Sequence, residues 1–271
     1  MRFLDRLHRA DRANNSLLCV GLDPDPAKFP DVWKGDRARI FDFCTAIVDA
    51  TKDLVIAFKP QIAFFSANRA EDQLERVIDF INRVAPEVPV ILDAKRGDIG
   101  STAEQYAREV FERYNADAAT LSPYLGFDSI EPYLRYRNNG LFLLCRTSNP
   151  GGADLQAQPL KRGVLLYEHI AQTAAQDWNV TGQVGLVVGA TFPAELSRVR
   201  ELAPTLPLLI PGVGAQGGDA AASVAAAWRP DAPIVVSSSR AVLYASSGAD
   251  FADAARREAL RARAELNAAR S

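Results

Sequence analysis

A chain of 271 residues, 48% of them hydrophobic, has the apolar content for a sizeable globular core and the length for one domain or two. A net charge of −2 shows no nucleic-acid signature, and no apolar run is long enough to cross a bilayer. The N-terminal segment MRFLDRLHRADRANN is charged throughout and lacks the apolar centre of a secretion signal, so a cytoplasmic protein is expected.

After an N-terminal helix, short apolar runs alternate with longer helical patterns. The runs cover 17–22, 54–58, 88–92, 118–121, 141–145, 184–188, 206–210 and 233–236. Most are rich in Val, Ile and Leu and bounded by Gly, Pro or Asp, as strands buried on both faces are. Helical patterns lie between them at 36–52, 67–84, 102–114, 162–178 and 194–202. An outer amphipathic helix rich in Ala, Arg and Glu follows at 250–270. Strands alternating with helices, without a composition break, predict an α/β protein of one domain over 1–271, a (β/α)8 TIM barrel. An open doubly wound sheet is the alternative. Two connections are long, DPDPAKFPDVWKG after the first strand and TSNPGGADLQAQPL after the fifth, and long loops in compact domains often carry function.

Cys19, Cys44 and Cys145 are far apart and in apolar company, which is neither a disulfide framework nor a zinc spacing. They are expected in the core. His8 and His169 both fall on helical segments, so no histidine metal site is expected, while carboxylate-bound Mg²⁺ stays open. Lysine is scarce: six of the 31 basic residues, at 28, 34, 52, 59, 95 and 161. Where Arg is the usual choice, Lys59 and Lys95 beside apolar strand residues need a reason, since Lys differs in shape, hydration and ease of deprotonation.

Polar residues collect at the predicted C-terminal ends of the strands, the rim where barrel active sites form. The first strand ends in Asp23, suited to a sugar hydroxyl or to opening the Pro-rich loop; the second ends in Lys59. The third runs into DAKRGDIGST. Asp93 and Lys95, two apart on an extended segment, are expected to point the same way, and Gly97 lets the chain turn so that Asp98 leads into the next helix. Ser101 with Glu104 matches a capping box. A structural ion pair explains Asp93 and Lys95 singly, but a Lys between two Asp, with a second ammonium on the same rim, suits a site where negative charge appears and a proton is delivered. No role is assigned to Arg96.

The fifth strand ends in RTSNPGG, where Ser148 is placed to bond a substrate ring or simply to start a turn. PGVGAQGGD, from Pro211 to Asp219, has four glycines whose backbone N–H groups can cradle a phosphate, with Gln216 in reach. Arg240, after SSS, adds a charge-assisted clamp.

These segments resemble the orotidine 5′-phosphate decarboxylase family, in its longer bacterial branch. DAKRGDIGST is similar to the family's D-x-K-x-x-D-I-x-x-T signature, and FKPQIAFF to the strand carrying its first catalytic lysine. TSNPG, PGVGAQGG and SSSR resemble its base-binding loop, phosphate loop and phosphate arginine segment, in order along most strand ends from Val20 to Arg240. The match departs at Ser239, where many relatives have Gly; there the family uses the backbone N–H. The resemblance implies decarboxylation of orotidine 5′-monophosphate to UMP without metal or cofactor. In it Lys95 stabilises and then protonates the carbanion at ring carbon six, and Asp93 sits near the departing carboxylate. Lys59 holds the charges and contacts ribose, Asp23 binds ribose, Ser148 binds the pyrimidine, and Pro211, Gln216, Ser239 and Arg240 surround the phosphate. It also implies a homodimer in which Asp98 and Thr102 reach into the neighbouring subunit's site.

Three other readings fit the same rim. A related barrel acts on sugar phosphates with Mg²⁺; the Ser-Asn-Pro-Gly loop and Lys59 speak against it. An aldolase would use Lys95 as a Schiff base. A non-catalytic phosphate-binding barrel would not need the alternating charges.

Overall fold

The computed structural model describes residues 1–161, 163–213 and 219–270. Eight parallel strands alternate with helices: β1 Leu18–Leu22, β2 Ala57–Pro60, β3 Ile91–Arg96, β4 Ala118–Leu121, β5 Gly140–Arg146, β6 Val184–Val188, β7 Leu208–Pro211 and β8 Ile234–Ser238. The described helices are α1 Phe3–Asn14, α2 Ile40–Thr51, α3 Ile62–Ser66, α4 Glu71–Val84, α5 Gly100–Arg108, α6 Glu131–Leu134, α7 Leu166–Thr173, α8 Pro193–Leu202, α9 Ala220–Ala227, α10 Arg240–Leu243 and α11 Phe251–Ala268. The sheet order is β2-β1-β8-β7-β6-β5-β4-β3, and the single bridges Phe58–Val90 and Gln61–Asp93 bring its two edges together. The expected (β/α)8 barrel is therefore the fold, and the open doubly wound sheet is not.

Side-chain alternation along each strand separates two cores. Cys19, Ala57, Ile91, Ala118, Phe142, Val187, Leu209 and Val235 point into the barrel. Their neighbours Leu18, Val20, Phe58, Leu92 and Leu143 pack outward against the helices. The N-terminal helix closes the lower mouth. Phe3, Leu7 and Ala10 of α1 join the inner core, with Phe3 edge-on to Phe142 at 5.8 Å. Apolar side chains thus fill the lower barrel, and space remains only where the strands end. The cysteines are buried core residues, as expected; burial raises all three thiols, Cys19 to about 12.

Several elements differ from the sequence reading. The second strand starts at Ala57 rather than at 54, because a Leu54 N–H···O=C Thr51 turn of 2.9 Å still ends α2 there. β3 and β5 run past their apolar residues to Arg96 and Arg146, so rim polarity is part of the strands. The 67–84 pattern holds one helix, α4, which starts only at Glu71; the short α3 ends before it at Ser66, and Arg69 at φ 53 lies between the two. The third and fourth helical patterns each begin as α and end in a π turn, at Glu109–Arg113 and Ala174–Trp178. The long loop after β1 is packed: Phe29 stacks on Phe43 at 4.4 Å, and the Tyr244 hydroxyl accepts from Asp25 N at 2.7 Å while donating to Asp23 O at 2.8 Å.

Candidate active site

A cavity of about 380 Å³ opens at the C-terminal rim. Its floor is apolar, with Leu144, Val187 and Leu209, and its walls carry Asp23, Lys59, Asp93, Lys95, Ser148, Pro211, Ser239 and Arg240. Residues from distant parts of the chain meet there because each strand of a parallel barrel delivers its end to the same rim.

Asp93 is the centre of the charges. Its Oδ2 lies 2.9 Å from Lys59 Nζ and its Oδ1 2.6 Å from Lys95 Nζ. Asp93 and Lys59 are 7% and 5% exposed, so neither can depend on water for its charge. Burial alone would raise the Asp93 carboxyl, but the Lys59 and Lys95 ammonium groups outweigh it and hold Asp93 well below the usual carboxylate range. Burial alone would lower Lys59; Asp93 and then Asp23 outweigh it and hold Lys59 above the usual lysine range. A depressed carboxyl adds stability above its unfolded value of about 3.9, lost as pH falls through the folded value. A raised lysine adds stability below about 10.4, lost as pH rises through the folded value. The buried pair is therefore ionised throughout the neutral range, before any substrate arrives.

The expectation that Asp93 and Lys95 point the same way holds in effect but not by simple strand alternation. Lys95 has φ 46, and the β3–β4 register shifts between Leu92 and Arg96. Its ammonium reaches Asp93 across a bulge, in a backbone conformation that alternation does not describe.

Asp23 lines the cavity with a buried Oδ1 that has no hydrogen-bond partner among the described residues. A buried carboxylate oxygen without a donor is costly, and a ligand hydroxyl would relieve that cost. Ser239 lies over Gly21: a Cβ on Gly21 would stand 1.9 Å from its Oγ, so the glycine makes room for the serine that departs from the family pattern. Gly189 does the same for Ser148, whose backbone N would lie 2.7 Å from an added Cβ. Arg240 opens α10 at the cavity edge. Gln216, with Gly214, Gly217 and Gly218, lies outside the described residues.

Other rim residues are placed elsewhere. Asp98 accepts a hydrogen bond from Ile99 N at 2.9 Å, and Thr102 is exposed on α5; neither lines the cavity of its own chain. The Ser101–Glu104 capping box does not form. The helix starts two residues earlier, after Ile99, without a side-chain cap, and Glu104 instead accepts from Arg135 at 2.6 Å. Arg96 has a clear place: it grips Glu109 through two hydrogen bonds of 3.0 and 2.9 Å and lies 4.7 Å over the Tyr106 ring, tying the end of β3 to α5. Arg146 also turns away from the cavity, to Glu195 and the Phe192 face at 4.4 Å.

Thr120 on β4 is a wall residue that the sequence reading missed, as it missed Gln61, Phe64 and Ser237. Thr120 is 1% exposed, and its hydroxyl donates to Asp93 Oδ1 at 2.9 Å. The available signal was a lone hydroxyl inside the apolar run AATL. Among the described residues, no group of three or more His, Cys, Asp or Glu side chains is placed to hold a metal.

Comparison with known proteins agrees with this geometry. Residues 16–254 match the family model described as "Orotidine 5'-phosphate decarboxylase / HUMPS family". The orotidine 5′-phosphate decarboxylase of Polaromonas naphthalenivorans is 70% identical over 274 residues, covering 100% of this chain and 97% of the relative. That of Methylibium petroleiphilum is 71% identical, with 100% of both chains covered. The solved structure of Leishmania donovani OMP decarboxylase superposes with a TM-score of 0.87 at 41% identity, covering 100% of this chain and 99% of the other. A family match across most of the chain, joined to relatives of this identity, shows that the protein belongs to the orotidine 5′-phosphate decarboxylase / HUMPS family.

Proposed function

We infer that this protein converts orotidine 5′-monophosphate to UMP and CO2, and that the carbanion is stabilised by charges set before the substrate binds. The observation that carries the mechanism is the buried Asp93 carboxylate clasped at 2.9 and 2.6 Å by Lys59 and Lys95. Relatives near 70% identity named orotidine 5′-phosphate decarboxylase favour the nucleotide substrate over the sugar-phosphate and aldolase readings.

The bond between ring carbon six and its carboxylate breaks heterolytically. CO2 leaves, and the electron pair stays on the carbon. With no electron sink in the substrate ring, that charge needs a fixed cation nearby, and the Lys95 ammonium supplies it. Lys95 then gives one proton to the carbon and regains one from solvent. Asp93 holds Lys95 in place, and Lys59 holds Asp93. Asp23 takes a ribose hydroxyl on its open acceptor, Ser148 bonds the pyrimidine, and Pro211, Gln216, Ser239 and Arg240 surround the phosphate. Contacts to that phosphate, remote from the reacting carbon, hold the ring in the reactive pose. The apolar floor of Leu144, Val187 and Leu209 keeps the forming charge from water.

We also propose a cytoplasmic homodimer of single-domain subunits acting without metal or cofactor. Asp98 and Thr102, outside their own chain's cavity, would reach the neighbouring subunit's site. No described helix is long and apolar enough to cross a membrane.

Borohydride separates this reading from the aldolase one. Reduction in the presence of substrate is expected to leave the protein's mass unchanged. A substrate adduct mapped to Lys95 would establish the Schiff-base reading instead.

A further inference from the structure

We propose that Thr120 is a positioning residue for decarboxylation, holding Asp93 and Lys95 in their reactive arrangement through a single hydroxyl. The proposal rests on the reading of Asp93 and Lys95 as the reacting pair.

Leu92 pairs with Ala119 and Arg96 with Leu121, so Asp93, Ala94 and Lys95 together face the one residue Thr120. Such a bulge leaves backbone N–H groups of β3 without strand partners. The Thr120 hydroxyl oxygen accepts both: Ala94 N at 3.1 Å and Lys95 N at 3.0 Å. These contacts sit where Lys95 holds φ 46, a conformation that a residue with a Cβ keeps only when its surroundings fix it.

A hydroxyl has two acceptor sites and one donor. With both acceptor sites occupied by N–H groups, its proton is directed at Asp93 Oδ1, 2.9 Å away, the same oxygen that meets Lys95 Nζ at 2.6 Å. One buried atom therefore fixes the backbone from which Lys95 extends and the carboxylate to which its ammonium is bound. No hydrogen-bonding capacity remains for substrate, so Thr120 acts through the other two and is not itself a catalytic residue. Placement errors of about 1 Å in a reacting group cost on the order of 10²-fold in rate.

The test compares Thr120→Val, which keeps the shape and removes the hydroxyl, with Thr120→Ser, which keeps the hydroxyl. Steady-state kinetics are measured with orotidine 5′-monophosphate, and UMP affinity and Tm are measured on the same preparations. The expected result is a kcat lower by about 30- to 100-fold in Thr120→Val, with KM and UMP affinity within about threefold of wild type. Thr120→Ser is expected to recover kcat to within about fivefold of wild type. If Thr120→Val does not fold, Thr120→Cys, whose thiol is a weak hydrogen bonder, carries the same expectation. Wild-type kcat in a folded variant lacking the hydroxyl would overturn the proposal. So would a Ser variant as slow as the Val or Cys variant, or a rise confined to KM. Lys95→Ala is assayed alongside. If it keeps turnover, the reading of the reacting pair has failed; if it is inactive while Thr120→Val is unimpaired, only the role of Thr120 has failed.

Discussion

Lys95→Ala is expected to lose at least about 10⁴-fold in kcat and still bind UMP within a few-fold of wild type. The size of the loss follows from two roles on one atom. Proton delivery is worth about 10²–10⁴-fold, and one preorganised charge at a developing anion about 10²–10³-fold. Alanine removes both. The fold should tolerate the change, because the Lys95 side chain is 46% exposed and contributes little to the core. Asp93 keeps Lys59 at 2.9 Å and Thr120 at 2.9 Å, so its buried charge stays paired. Asp23, Ser148 and Arg240 still line the cavity for ribose, base and phosphate. UMP titration by calorimetry and single-turnover kinetics separate binding from chemistry. A variant retaining more than about 1% of wild-type kcat would remove Lys95 from the centre of the mechanism.

A second large effect concerns the subunits. Asp98→Asn and Lys95→Ala proteins are each expected to be nearly inactive, and mixing them under conditions that exchange subunits should restore activity. In a two-fold dimer with shared sites, a heterodimer has one site with both lesions and one with neither. A random equimolar mixture is half heterodimer, so about one quarter of wild-type activity should return. The starting observation is that Asp98, within the same charged segment as Asp93 and Lys95, does not line its own chain's cavity. Native mass spectrometry verifies the heterodimers. Their presence without recovered activity would show that each site is built from one chain.

Much of this was legible in the sequence because parallel barrels repeat one physical rule. Runs 118–121 and 184–188 coincide with β4 and β6 since β-branched and aliphatic residues buried on both faces leave little choice of register. Asp23, Lys59, Asp93 and Lys95 could be gathered onto one rim without coordinates, as all stand at or just past strand ends. Strand position alone does not say which way a rim residue turns. Arg146 sits in β5 yet leaves the cavity for Glu195, and Arg96 leaves it for Glu109. Alternation failed at Lys95 because a bulge is set by pairing between strands distant in sequence. Thr120 was overlooked for the same reason: within AATL it reads as an ordinary β-branched strand residue until β3 is placed beside it. The capping box at Ser101 failed because the helix begins at Gly100, with φ 55, two residues before the motif requires. The expectation for Gln216 concerns a residue outside those described.

The central claim is that charges built into the rim, without a bound metal, carry the decarboxylation. It is tested most directly by following the orotate-ring absorbance of orotidine 5′-monophosphate with purified protein in excess EDTA. The account predicts a steady loss of that absorbance at the rate seen without chelator, with UMP as the product. An absorbance that stays flat in EDTA, with protein folded and binding UMP, would contradict it.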